Sequence, residues 1–184
     1  MDAVDLTLTP TAPVVRPGLL RRFVARLRRS LPPLITVLVG SVCWALAMAA
    51  SALLEIWRDG WETEAKFATI AMLFGLGAAL GFPLGLTLAR FVSLGKSAEA
   101  TFAAHFLGLS LSTIGVTGLL FALDYRQYYS TWHEETLTIT WMFQLAFTLA
   151  GALIQFAVLG VRMFFPLGFA ALFLASLWFA RRAR

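Results

Sequence analysis

The chain consists of long apolar runs separated by short charged segments. Uncharged stretches occupy positions 30–54, 67–89, 100–123, 136–161 and 163–180. Each is at or beyond the roughly 18 residues that suffice for a helix to cross a bilayer, and the segments between them are too short to form the surface of a soluble domain. The pattern therefore predicts an all-α integral membrane protein, a bundle of four to five transmembrane helices with a short basic amphipathic helix at its N-terminus.

The same pattern divides the chain into segments. We expect a disordered tail at 1–16, the basic amphipathic helix at 17–31, the transmembrane bundle at 32–180 and a basic tail at 181–184. The spans are predicted at about 33–57, 67–91, 100–123, 136–161 and 164–180. The last two are separated near Arg162 and Pro166, because proline has a fixed φ and no N–H to donate.

The last apolar segment has two interpretations. At 164–180 it is close to the lower limit of about 17 residues for a span. If it crosses, which we expect, the arginines that follow it lie on the outer side of the membrane. If it re-enters from the inner side, those arginines stay inside, as the positive-inside rule prefers.

The basic helix has apolar residues at three- and four-residue steps, from Leu20 through Phe23 and Leu27 to Leu31. Such a helix is typical of the headgroup layer. Its cations are predicted either to contact anionic lipid or to hold the N-terminus in the cytoplasm as a topogenic cluster, and we favour the second. They are Arg21, Arg22, Arg26, Arg28 and Arg29.

Composition supports membrane residence. Hydrophobic residues make up 59% of the 184 positions and charged residues 14%, against roughly a quarter charged in soluble domains, and the mean hydropathy is +0.78. The net charge of +5 comes from cations ahead of the first span and at span ends, which indicates membrane topology and not nucleic-acid binding. We expect the bacterial inner membrane, with the N-terminus in the cytoplasm. One cysteine, Cys43, excludes an intramolecular disulfide.

Small residues recur at four-residue steps in two spans. Gly77, Gly81 and Gly85 form a doubled G-x-x-x-G in the second span, and Gly108 and Ser112 lie on one face of the third. Small side chains let helix backbones approach closely in lipid, so these residues predict helix packing or partner binding. The alternative is a flexible helix that lines a binding site, as in transporters with Gly- and Pro-interrupted spans.

A polar stripe runs along the fourth span. Gln144, Thr148, Gly151, Gln155 and Arg162 fall on one face of a helix with about 3.6 residues per turn. Because polar side chains facing hydrocarbon are costly, we expect this face to contact protein.

Few residues suggest reaction chemistry. His105 lies within the third span. A histidine inside a span is by default a candidate functional residue, here as a haem ligand, a proton relay or a quinone contact. We favour a structural hydrogen bond, because a haem with two axial histidines needs a second one at similar depth. His133, Glu134 and Glu135 lack metal-ligand spacing. No catalytic, cofactor or metal site is predicted.

The segment 124–135 is polar and aromatic. Tyr125, Tyr128, Tyr129 and Trp132 are typical of a membrane-interface belt and also of protein interfaces, so a docking role for this loop is a second interpretation. A capping box, with Thr131 as N-cap and Glu134 at the third helical position, is predicted to start the fourth span.

Three function classes compete. The favoured one is a non-catalytic accessory, assembly or stabilising subunit of a larger membrane complex, because small-residue faces and the polar stripe offer packing surfaces. The alternative is a small homo-oligomeric transporter or channel for a neutral or weakly charged solute, lined by Gln144, Thr148 and Gln155. A membrane enzyme is weakest, since no nucleophile lies beside a base. The partners expected are the lipid bilayer and other membrane subunits or further copies of this chain.

Overall fold

The computed structural model describes residues 18–60 and 66–182, and these residues form helices joined by short turns. The helices are α1 (Leu19–Ser30), α2 (Leu34–Arg58), α3 (Phe67–Ser93), α4 (Ala98–Tyr129), α5 (Ile139–Gln155) and α6 (Leu167–Arg182). The prediction of an all-α membrane bundle is confirmed. The tail predicted at 1–16 lies outside the described residues, as do residues 183–184 of the predicted basic tail.

Four segments are long and apolar enough to cross a membrane, which identifies an integral membrane protein. They are Leu34–Arg58, Phe67–Ser93, Ala98–Trp132 and Ile139–Phe164. Helix α6 is shorter, at 16 residues. Length and composition give these segments, whereas the contacts below decide how each one runs through the bundle.

Helices α2, α3 and α4 form the centre of the bundle. Short connections make neighbouring helices antiparallel, and the cluster of buried apolar side chains is built mainly from their facing surfaces. Met48, Ala52, Phe74, Ala78 and Leu86 are each at most 2% exposed. The bundle therefore has two ends. The basic end holds the N-terminus of α2, the C-terminus of α3 and the start of α4; the loop end holds the C-termini of α2 and α4.

Helix α1 lies at the basic end and packs on α3. The rings of Phe23 and Phe91 are 5.4 Å apart, edge to face. Arg26 donates from Nε to the Phe91 carbonyl oxygen at 2.9 Å and lies 5.1 Å over the Phe91 ring. The contact satisfies a carbonyl group in the last turn of α3, where a cation is also favourable.

Helix α4 is longer than predicted, and the predicted capping box is wrong. The α-helix continues through Tyr129 and a 3₁₀ turn follows at Ser130–Trp132, so most of the predicted loop is helical. Helix α5 instead begins after Thr138, whose hydroxyl oxygen accepts from Trp141 N–H at 3.1 Å. A side-chain oxygen at this position satisfies one of the N–H groups left free at a helix start.

Helix α5 begins and ends near the loop end. Near its start, Gln144 contacts the turn after α4, while Phe156 at its end packs against Phe74 and Phe121. The chain then passes through a π-helix (Phe156–Gly160) and a 3₁₀ turn (Val161–Phe164). The expected break near Arg162 is present. The break lies beside the C-terminus of α2, at the loop end. A fourth span that crosses the membrane would place it at the basic end instead.

Helix α6 runs from the loop-end half of the bundle to the basic end. The N–H of Gly168 donates to Ser51 Oγ at 3.1 Å, and Phe179 stacks on His105. Arg182 shares a cavity with Arg90 and Lys96. Arg182 therefore lies at the same end as Arg90 and Lys96, and not at the opposite end that a crossing of both α5 and α6 would give, because α5 returns to the loop end and α6 runs toward the basic end.

Candidate functional site

The predicted small-residue faces meet between α3 and α4. A Cβ atom on Gly77 would collide with Thr117, one on Gly81 would lie 2.9 Å from the Thr113 Cα, and one on Gly85 would collide with Ser112. A Cβ on Gly108 would lie 2.9 Å from the Gly85 carbonyl oxygen. The glycines therefore bring two backbones of the same chain into contact, which larger residues would prevent.

The predicted polar stripe of α5 is divided by its surroundings. Gln144 Oε1 accepts from the Glu134 N–H at 2.9 Å, and Thr148 Oγ1 lies 3.2 Å from His133 Nε2, so the chain's own turn covers these two half-buried side chains. Gly151 and Gln155 are exposed. We call these last two residues the open stripe.

Arg162, the last residue of the predicted stripe, belongs to a cluster of charges at the loop end. Its guanidinium forms an ion pair with Asp59 and lies 3.8 Å from Glu55 Oε1. Glu55 also pairs with Arg58 at 3.3 Å. Sequence reasoning missed the pairing of Arg162, although three charges close together at the end of the first span were a signal that could have pointed to it.

The tyrosines and tryptophan of segment 124–135 form one column of rings along α4. Tyr125 and Tyr129 are 4.7 Å apart, and Tyr129 and Trp132 are 5.8 Å apart. Tyr128, which is 66% exposed, contacts both Tyr129 and Trp132. Helical spacing, and not a loop, positions these rings on the surface of the loop end.

His105 is buried near the basic end of α4, at 3% exposure. Its Nδ1 lies 2.8 Å from the Thr101 carbonyl oxygen, and its ring stacks on Phe179 with 4.7 Å between centroids. Nε2 has no hydrogen-bond partner within the described part of the chain. Such an atom is costly unless something hydrogen-bonds to it.

His105 lines a cavity of about 460 Å³ at the basic end, which we call the basic cavity. Arg90, Lys96 and Arg182 also line it. Sequence reasoning assigned Arg90 and Lys96 to membrane topology and did not bring them together with His105, because the path of α6 decides that contact.

A second cavity, of about 190 Å³, lies between α2, α4 and α6. Its lining is largely apolar, and the hydroxyl of Thr113 within it accepts from the Trp44 indole N–H at 2.9 Å. An apolar cavity with satisfied polar groups is expected to stay dry.

Comparison with known proteins finds no match among protein-family models, curated proteins or solved structures. Among residues 18–60 and 66–182, no group of three or more His, Cys, Asp or Glu side chains is arranged to hold a metal ion.

Proposed function

We propose that this protein is a non-catalytic accessory, assembly or stabilising subunit of a larger membrane protein complex, and that it contacts its partner through α5. The observation that carries the proposal is the open stripe. Gly151 and Gln155 are uncovered on α5, whose contacts with other helical elements are mainly with α4 and with the π-helix Phe156–Gly160 that continues α5.

Gln155 lies at a level of the bundle where an exposed amide is unfavourable. The next residue, Phe156, packs against Phe74 and Phe121, which belong to the apolar parts of α3 and α4. Gln155 is therefore level with hydrocarbon when α3 and α4 cross a bilayer. An amide with no hydrogen-bond partner in an apolar environment costs free energy, which a polar group on a neighbouring helix would remove.

The chemistry of the stripe indicates the kind of partner. Gly151 has open space where a Cβ would lie, so another helix axis can approach it closely, and Gln155 can then form an interhelical hydrogen bond. The expected partner is a transmembrane helix of another subunit with a small residue and a hydrogen-bonding side chain about one turn apart. The rings of Tyr128 and Trp132 are also exposed, at the loop end, and aromatic residues are enriched at protein interfaces.

The membrane orientation is part of the proposal. We infer an inner membrane location with the basic end in the cytoplasm. The basic end carries the arginines of α1 together with Arg90, Lys96, Arg181 and Arg182, whereas acidic side chains accompany the cations of the loop end. An excess of Lys and Arg on the cytoplasmic side is the usual arrangement.

The test is purification of the full chain in mild detergent, as wild type and with Gly151→Leu or Gln155→Leu. A partner chain at constant stoichiometry should accompany the wild type, and each variant should reduce its recovery. Ala146→Leu is the matched control, because Ala146 is exposed on the opposite side of α5. Purification as a homo-oligomer without another chain, with solute transport in liposomes, would overturn the proposal.

A further inference from the structure

The basic cavity has the size and the lining of a ligand site. At about 460 Å³ it falls in the range of about 300–1,000 Å³ typical of small-molecule pockets. Five parts of the chain contribute to it: Pro33 and Thr36 before and in α2, the C-terminal part of α3, the turn between α3 and α4, the first turns of α4, and the end of α6. Its cations come from α3, from this turn and from α6, so the fold and not one local sequence brings them together.

No described carboxylate forms an ion pair with a cation of this cavity. The ion pairs Arg58–Glu55, Arg162–Glu55 and Arg162–Asp59 lie at the loop end. Neither Arg90 nor Lys96 pairs with a carboxylate in the described part of the chain. The guanidinium of Arg182 lies 3.8 Å over the Trp178 ring, which orients it at the cavity wall. An anion at this position would gain from all three cations.

His105 supplies a different group to the same cavity. A carbonyl oxygen only accepts hydrogen bonds, so the contact with Thr101 makes Nδ1 the donor. In the neutral ring Nε2 is then an acceptor, and it has no donor among the described residues. The fitting ligand has a hydroxyl group near its negative charge.

An apolar groove continues from the basic cavity. It has a volume of about 640 Å³, lies between α2 and α6, and shares Thr36, Trp178 and Phe179 with the cavity. From there it passes Val39 and Cys43 toward Ala47 along α2. Its lining is mainly apolar, which suits a hydrocarbon chain.

We propose that the basic cavity and this groove together bind one anionic phospholipid. The phosphate lies at Arg90, Lys96 and Arg182. A headgroup hydroxyl donates to His105 Nε2, and one acyl chain occupies the α2–α6 groove. This site is separate from the arginine face of α1, and it does not depend on the proposed function, because a subunit or any other membrane protein can hold such a lipid.

Cys43 provides a test in the unmodified chain. It is the one cysteine in the sequence, is exposed and lines the groove. The purified protein in neutral detergent is treated with a thiol-reactive maleimide, alone or with phosphatidylglycerol, phosphatidylcholine or inorganic phosphate. Phosphatidylglycerol should slow the labelling of Cys43 at a lower concentration than phosphatidylcholine or inorganic phosphate. Equal protection by phosphatidylcholine, no protection by any lipid, or the same effect from inorganic phosphate would overturn the proposal.

Charge removal tests the phosphate position. In Arg90→Gln/Lys96→Gln the phosphatidylglycerol concentration for half-maximal protection should rise about fivefold for each charge removed. Arg181→Gln is the matched control, because Arg181 belongs to α6 but lines a different cavity with Glu99. An unchanged half-maximal concentration in the double variant, or an equal rise in the control, contradicts the assignment. If the double variant does not fold, Cys43 protection in the wild type still decides the proposal.

Headgroup selectivity tests the histidine. Phosphatidylmethanol has a phosphate diester but no headgroup hydroxyl, so the wild type should bind phosphatidylglycerol about two- to tenfold more tightly. His105→Phe retains an aromatic ring against Phe179 and removes Nε2, and this selectivity should disappear while binding persists. Selectivity that is absent from the wild type, or retained in His105→Phe, overturns the contact with His105.

Discussion

Arg162 and Asp59 form an ion pair that joins the end of the fourth apolar segment to the end of the first. The pair shows which end of the bundle the chain reaches after α5, and Glu55 joins it through Arg162. Because α6 begins a few residues later, the same contact also shows where the last helix enters the bundle.

Removal of this contact should lower stability modestly. The side chains of Arg162 and Asp59 are 43% and 32% exposed, so we expect Arg162→Gln to reduce the free energy of unfolding by up to about 1 kcal/mol. Sodium dodecyl sulfate titration of mixed micelles, followed by tryptophan fluorescence, measures it. Arg58→Gln is the control and should reduce the free energy of unfolding less, since Glu55 remains paired with Arg162. An equal loss in both variants would show that the Asp59 pair has no special role.

One added methyl group at the α3–α4 contact should destabilise the protein. In Gly81→Ala the new Cβ would lie 2.9 Å from the Thr113 Cα, so the backbones must separate. The expected loss of unfolding free energy is about 1–3 kcal/mol.

Gly115→Ala is the matched variant in α4, where nothing lies within 4 Å of a new Cβ. The same detergent titration should show no loss, or a gain of about 0.5–1 kcal/mol, because alanine is the better helix former. Equal effects of Gly81→Ala and Gly115→Ala would mean that glycine at position 81 acts through helix propensity and not through packing.

Ser51 should anchor the first turn of α6. Its Oγ accepts the Gly168 N–H, one of the N–H groups that has no partner within the helix. Ser51→Ala should reduce the unfolding free energy by about 0.6–1 kcal/mol. Ser176→Ala is the control: Ser176 is equally buried, but its hydroxyl donates to the Leu172 carbonyl of its own helix. Greater destabilisation by the control would contradict the anchoring role.

The path of α6 predicts which residues share a side of the membrane. In a Cys43→Ser background, cysteines at Lys96 and Arg182 should react with a membrane-impermeant maleimide from one side, and a cysteine at Tyr128 from the other. The measurement is labelling of right-side-out and inverted vesicles. Labelling of Arg182→Cys from the same side as Tyr128→Cys would mean that α5 crosses the membrane and that α6 ends at the loop end.

The sequence predicts the three central helices well because their apolar runs have both ends marked. Charged residues such as Arg58, Lys66 and Lys96 lie at the ends of these runs, so span length and order follow from hydropathy. Gly77, Gly81 and Gly85 also predict close packing, since their spacing holds them on one face. What spacing does not give is the partner, which lies in the neighbouring helix α4.

The course of α5 and α6 was beyond sequence reasoning for a physical reason. Hydropathy indicates that a segment is buried away from water. A helix that crosses the membrane and one that returns to the same end are both buried in this way, so hydropathy does not distinguish them. The choice depends on contacts between distant positions, such as Arg162 with Asp59 and Phe164 with Phe74. The basic cavity was missed for the same cause, because Arg182 reaches Arg90 and Lys96 only when α6 ends beside them.

The glycine contact between α3 and α4 also restricts how this protein can rearrange. Sliding one helix along the other would bring side chains against backbone that now meets only glycine hydrogen atoms. These two helices therefore move as one unit. We therefore expect a change of shape on partner or lipid binding to arise outside this pair of helices, as in α5, where Gln144 and Thr148 contact the turn after α4 through side chains that can change rotamer.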